Sequence, residues 1–151
     1  MQTPTKIAVA GATGRVGRYV VEALRSGGHE VVPIARSAGV DVITGDGLDG
    51  ALKDADAIID VTAGSSSEQR AATEFFTTAA RNLQQAGERA GAARYVVVSI
   101  VGIERSAGGY GSAKLAHEQA VLAGPVPARI LRVTQFHELV GVLMDMGGRA
   151  T

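Results

Sequence analysis

The stretch KIAVAGATGRVG, residues 6–17, decides the fold. Its first half is a short apolar run closed by glycine, the pattern of a strand buried on both faces. Its second half opens a helix, because Val16, Tyr19, Val20, Ala23 and Leu24 recur at three and four until Gly27-Gly28 stops them. Gly11, Gly14 and Gly17 therefore fall at a strand-to-helix junction as G-x-x-G-x-x-G. Glycines at such a junction allow a tight turn, give a pyrophosphate room to reach backbone N–H groups, and let the helix pack closely on the strand. In this position the pattern points to nucleotide binding rather than to a merely structural turn.

Working outward, the sequence EVVPIAR reads as a second strand, with Pro33 favouring an edge or a bulge. Val40, Val42 and Ile43 suggest a short third strand ending at Gly45-Asp46-Gly47. Between Arg36 and Val40 there is no room for a helix, so the usual crossover is expected to shrink to a loop. GLDGALKDA gives a short helix and AIIDV a fourth strand. A long helix follows from Ser65 towards Gly91, then the strand RYVVVSI, the helix GYGSAKLAHEQAVLAG and the strand ARILRV. QFHELVGVLMDMGG is amphipathic enough for one more helix. Apolar strands alternating with helices predict an α/β fold, a three-layer doubly wound parallel sheet, as one domain over residues 1–151.

Composition narrows the function classes. A length of 151 residues suits one domain of ordinary size. Fifteen basic and fifteen acidic residues give no net charge, so no broad basic surface exists for a run of phosphates, and nucleic acid is not expected as a partner. With no cysteine, disulfides, thiolate metal sites and a cysteine nucleophile are excluded. Aromatic residues at 4% speak against a stacking platform for sugars or single strands. No apolar run approaches the length of a membrane helix, and none near the start forms a signal-peptide core, so no membrane partner and a cytoplasmic location are expected.

Candidate chemistry gathers at strand ends. No carboxylate follows the second strand to hold a ribose 2′-hydroxyl, whereas Arg36 and Arg15 are suited to bracket a 2′-phosphate, so NADP(H) is favoured over NAD(H). Tyr110 and Lys114 stand at i and i+4 near the start of a helix, where an ammonium lowers the pKa of a neighbouring phenol and fits it for proton transfer. Ser99 ends a strand at the carboxyl edge of the sheet, placing a hydroxyl near the same substrate oxygen. His29, His117 and His137 lack a second ligand at helical spacing, so no metal site is expected. Phe75, Phe76 and Leu83 read as core, and Asn82 as a buried hydrogen-bonding residue. No phosphate-binding G-x-x-x-x-G-K-[ST] loop is present, which disfavours nucleotide triphosphate hydrolysis.

The combination of GATGRVG, Gly45-Asp46, the serine-ended VVVSIVGIE and Tyr110-Gly-Ser-Ala-Lys114 resembles the short-chain dehydrogenase/reductase superfamily. The nearest likeness is to its atypical, NmrA-like NAD(P)-binding branch, from Lys6 to about Met146. The resemblance implies a Rossmann fold of strand order 3-2-1-4-5-6 with the cofactor across the top of the sheet. It assigns Thr13, Gly14, Arg15 and Val16 to the pyrophosphate, Arg36 and Ser37 to the 2′-phosphate, and Asp46 and Gly47 to the adenine. Thr62, Ala63 and Gly64 would line the adenosine ribose, Lys114 the nicotinamide ribose, and Val133, Thr134, Gln135 and Phe136 the nicotinamide end. Tyr110 would be the acid/base and Ser99 its helper.

The implied activity is NADP(H)-dependent reduction of a small carbonyl, quinone or flavin-like acceptor. Two alternatives stand beside it: a non-catalytic NADP-binding redox sensor, and a shortened relative without a complete substrate pocket. Members of the branch continue with segments that close the sheet, whereas this chain ends at Thr151. A C-terminally shortened sheet is therefore expected, with a second copy of the chain as the candidate cover for its exposed last strand, a homo-oligomer.

Overall fold

The computed structural model describes residues 5–63, 68–100 and 109–133, side chains 100, 109 and 110 excepted. Strands β1 (Lys6–Ala10), β2 (Glu30–Ile34), β3 (Ala57–Asp60), β4 (Arg94–Ile100) and β5 (Ala128–Val133) form one sheet in the order β2-β1-β3-β4-β5. Every pairing is parallel. Helices α1 (Arg15–Ser26), α2 (Leu48–Leu52), α3 (Gln69–Ala90) and α4 (Gly109–Leu122) make the crossovers.

Two apolar clusters show why the strands carry so little polarity. Ile7, Val9 and Ile59 face Val20 and Leu24 of α1 on one side of the sheet. On the other side Ala8, Ala10, Ile58, Tyr95 and Val97 pack with Leu48 and Leu52 of α2, Ala80 and Leu83 of α3, and Val121 of α4. Central strands covered on both faces must be apolar at odd and even positions alike. Helix α1 lies on one face and α2, α3 and α4 on the other, so the three-layer expectation describes the molecule.

The expected strand at Val40–Ile43 does not form. This segment is a turn: the Asp41 carboxylate accepts from the N–H groups of Ile43 (2.8 Å) and Thr44 (3.3 Å), and Gly45 and Gly47 adopt positive φ. Side-chain capping of a local turn has won over the weak Val40/Val42 alternation. The strand order is thus the expected one without its outermost member, and among the described residues β2 is an edge strand. Pro33 suits that position, since it has no N–H to give to a further strand. Asn82 of α3 holds the turn from below, donating from Nδ2 to the carbonyls of Val42 (2.8 Å) and Ile43 (2.9 Å). It hydrogen-bonds as expected, to the carbonyls of the turn, but it is half-buried rather than buried. The helix expected over residues 135–148 lies outside the described residues.

A buried amide ties the far end together. Gln84 of α3 donates to the carbonyls of Val121 (2.6 Å) and Val126 (3.1 Å) and accepts from the Val126 N–H (2.7 Å). All three bonds reach the end of α4 and the loop joining it to β5. Gly124 leaves room for this amide, because a Cβ there would lie 2.3 Å from the Gln84 side chain. Among the described residues no helix is long and apolar enough to cross a membrane.

Gly124→Ala is therefore expected to destabilise the fold by about 1–3 kcal/mol, since Gln84 cannot yield without losing buried hydrogen bonds. Urea denaturation checks this, with Gly28→Ala, whose surroundings are open but whose φ is positive, as the comparison for strain alone.

Candidate functional site

The chain leaves β1 and turns into α1 at the point where the order of strand addition reverses, with β2 to one side and β3 to the other. A crevice opens at such a switch point, outside the carboxyl ends of the strands. Here it is a cleft of about 670 Å³. Its floor is the glycine turn, with Gly11, Thr13, Gly14, Arg15 and Val16; Val61, Ala63 and Phe75 form one wall, and Ala35, Arg36 and Val40–Ile43 the other.

The glycines are required by contact. A Cβ on Gly17 would stand 1.9 Å from the Gly11 carbonyl oxygen, and Gly11, at φ +83°, would drive one to 2.8 Å from the Val61 carbonyl. Gly14 is less constrained, its Cβ meeting that same Gly11 oxygen at 3.3 Å. Helix α1 thereby starts hard against β1, with Gly14 as its N-cap and no side chain capping its first turn. An uncapped helix start offers N–H groups and the positive end of the helix dipole to an anion. No acidic residue occupies that turn, and Arg15 adds a cation to it. These features fit a dinucleotide pyrophosphate, which the first-turn N–H groups and Thr13 would hold.

Beneath the ends of β3 and β4 lies a second polar assembly, closed off from solvent. Asp60, fully buried, accepts four hydrogen bonds: from the Thr62 N–H (3.0 Å) and hydroxyl (2.6 Å) at Oδ1, and from the Tyr95 hydroxyl (2.5 Å) and His117 Nε2 (3.0 Å) at Oδ2. His117 Nδ1 lies 3.0 Å from Lys114 Nζ, which also donates to the Val98 carbonyl (3.2 Å). Phe76 stacks on the imidazole with ring centroids 4.6 Å apart, and its ring lies 4.7 Å from the Lys114 ammonium. Lys114 is only 4% exposed.

Burial alone would raise the pKa of Asp60, but His117 and the hydrogen bonds from Thr62 and Tyr95 outweigh it and hold the carboxyl far below the usual range. Burial, then the Asp60 charge and hydrogen bond, push the Tyr95 phenol well above its ordinary value. Burial lowers the pKa of Lys114, against the opposing pull of Asp60 and Glu118. Glu118 and Arg132 form a two-point ion pair between α4 and β5, at 2.7 and 3.2 Å. Burial acts to raise the Glu118 pKa, and Arg132 foremost brings it below the ordinary value. The Ser99 hydroxyl is buried near this pair but makes no hydrogen bond of good geometry among the described residues.

Among the residues singled out from sequence, Gly11, Thr13, Gly14, Arg15, Val16, Arg36 and Ala63 line the cleft together. Gly17 lies under it, and Ser37 follows Arg36 in a single 3-10 turn. Asp46 and Gly47 are not on the cleft wall; Gly47, at φ +78°, packs against the Gly39 carbonyl, and the adjacent wall is made by Val40–Ile43. Thr62 is turned inward to Asp60. Ser99 and Lys114 sit at the end of β4 and in α4, beside the buried assembly, and Val133 ends β5. Tyr110 is in the first turn of α4. Gly64, Thr134, Gln135 and Phe136 lie outside the described residues.

A family model described as NAD(P)H-binding matches residues 11–125, from the glycine turn to the loop before β5. The chain belongs to this NAD(P)H-binding family. Among solved structures, this NAD(P)H-binding domain is similar to a UDP-N-acetylglucosamine 4-epimerase from Bacillus cereus, at 27% identity and a TM-score of 0.70, over 85% of this chain and 53% of that one. A short-chain dehydrogenase/reductase superfamily protein from Agrobacterium tumefaciens with bound NAD matches at 26% identity and a TM-score of 0.68, over 84% and 48%. The Bordetella bronchiseptica enzyme WbmG in complex with NAD shares the fold, with a TM-score of 0.72 at 17% identity, over 86% and 53%. The domain is thus of the atypical short-chain dehydrogenase/reductase type, and it spans about half the length of these structures. No curated protein matches it.

Two outcomes are expected. Gly17→Ala must separate α1 from β1 and is expected to abolish dinucleotide binding even where the chain still folds, read by fluorescence titration with NADPH. Asp60 has a folded pKa below its unfolded value of about 3.9, so the stability it contributes is present above that pH and lost as pH falls below it. Urea midpoints measured from pH 6 downward are expected to hold until about pH 4 and then fall in the wild-type chain, and to fall less in Asp60→Asn, from a lower starting stability.

Proposed function

We propose that this domain binds NADP(H) in preference to NAD(H) and serves an oxidoreductase that reduces a small carbonyl, quinone or flavin-like acceptor. The observation that carries the reading is the placement of Arg15 and Arg36 on the same cleft as the uncapped start of α1. Arg36 follows the edge strand β2 in an exposed turn, where a 2′-phosphate on the adenosine ribose would meet its guanidinium and the Ser37 hydroxyl. Asp41 is the carboxylate on that wall, but one of its oxygens is committed to the N–H groups of its own turn. It is poorly placed to claim a 2′-hydroxyl for NAD.

The bound nicotinamide would supply the hydride, and the protein the orientation and the proton. Among the described residues Lys114 donates to the Val98 carbonyl and lies against His117 Nδ1, and a third N–H would serve the nicotinamide ribose. Tyr110, four residues earlier in α4, would give its phenolic proton to the acceptor oxygen as hydride arrives at the adjoining carbon. Ser99 would assist at that oxygen.

Equilibrium binding of NADPH and NADH to the wild-type chain and to Arg36→Ala tests the cofactor assignment. Loss of a charge-assisted contact worth about 1.5–3 kcal/mol is expected to weaken NADPH by roughly tenfold to a hundredfold. NADH should change less than about twofold, and equal weakening of both would overturn the preference for NADP(H). For the enzymatic part, Tyr110→Phe is expected to remove NADPH oxidation with a carbonyl and quinone panel while cofactor affinity is kept. Turnover unchanged in that variant would remove Tyr110 from the chemistry.

A further inference from the structure

Lys114 is a long cationic side chain drawn almost wholly out of water, and a buried cation of this kind needs a compensating charge. The nearest compensation on its own helix, Glu118, is engaged by Arg132 through two hydrogen bonds. On β3, Asp60 carries a buried negative charge whose one basic contact among the described residues is His117. The imidazole stands between the two: one nitrogen on Asp60, the other on Lys114, and both at 3.0 Å. Phe76 of α3 fixes the plane of the ring by stacking on it.

We propose that Asp60 and His117 are positioning residues that hold Lys114 as a fixed cation at the end of β4, with His117 neutral and bridging the two charges. In this arrangement Lys114 Nζ–H donates to Nδ1, and Nε2–H donates to Asp60. Every atom in the line then has the right polarity, and Thr62 and Tyr95 fill the remaining acceptor sites of the carboxylate. The line is a charge anchor and not a proton path, because its inner end stops at Tyr95 and Asp60, both wholly buried. Among the described residues, the groups facing Lys114 are Asp60 from β3, His117 and Glu118 from α4, the Val98 carbonyl from β4, and the ring of Phe76 from α3, with Tyr95 and Arg132 acting through Asp60 and Glu118. The inference rests on the reading of Lys114 as a cofactor-facing residue only for its use, not for its geometry.

The chain has three lysines, Lys6, Lys53 and Lys114, so lysine-selective carbon-13 labelling gives three side-chain signals to titrate by NMR. In Asp60→Asn the Lys114 signal is expected to lose its proton at a pH at least one unit lower than in the wild-type chain, a tenfold fall in proton affinity, while Lys6 and Lys53 stay unchanged. An unshifted Lys114 in the folded variant would overturn the proposal. If Asp60→Asn does not fold, the wild-type chain decides alone: nitrogen-15 spectra at pH 8 are expected to show His117 as the neutral Nε2–H tautomer. Imidazolium, or the Nδ1–H tautomer, would overturn it. Neither readout uses the cofactor, so failure of NADPH to bind would count against the functional reading and not against this one.

Discussion

The close approach of residue 17 to the Gly11 carbonyl is the constraint on which the site depends. With no side chain at that point, α1 begins in contact with β1, and its first turn presents backbone donors at the opening between β1 and β3. The positive φ of Gly11 turns the chain sharply enough to make this happen directly after a strand. Everything else in the cleft is arranged around that fixed helix start: an aliphatic and aromatic wall from Val61, Ala63 and Phe75 on one side, and a basic turn after β2 on the other. Binding affinity for a charged ligand follows from donors that are already in place and need little reordering.

The second organising element is electrostatic and lies under the first. A carboxylate at the end of a buried strand is costly to hold unless every lone pair finds a donor. Asp60 meets this with groups from three elements, β3's own exit, β4 and α4. Burying the charge therefore specifies where α4 sits relative to the sheet, in addition to what Gln84 does from the opposite end of α4. Phe75 and Phe76, in edge-to-face contact, join the two regions: one ring lines the cleft, and its neighbour covers His117 and Lys114.

Much of this is legible in the sequence, for reasons that can be named. Strand β5 stands where ARILRV predicts it, β4 where RYVVVSI does, and the glycine spacing locates the cleft, because period and turn chemistry act locally. The false strand at Val40–Ile43 shows the opposite case: two alternating valines are outweighed by an aspartate able to cap its own turn and by an asparagine forty residues away. Asp60, Tyr95 and His117 escape sequence reasoning as a group because their partnership is tertiary. The available sign is a lone carboxylate in the apolar run Ile58-Ile59-Asp60-Val61, on a strand expected to be covered on both faces. Such a residue asks for partners, but spacing along the chain does not name them.

The loop that replaces an outer strand also bears on how this fold can change. Because β2 is the sheet's edge among the described residues, residues 36–45 carry no ladder hydrogen bonds to a further described strand, and Asn82 holds the carbonyls of Val42 and Ile43. Exposed side chains there, Arg36 and Ser37 among them, can be exchanged without moving a strand register, whereas Val40 packs into the core and Asp41 caps the turn. If that wall tells one dinucleotide from another, as proposed above, cofactor choice can drift at its exposed positions without touching the fold, while the glycine turn, fixed by contact with β1, cannot change.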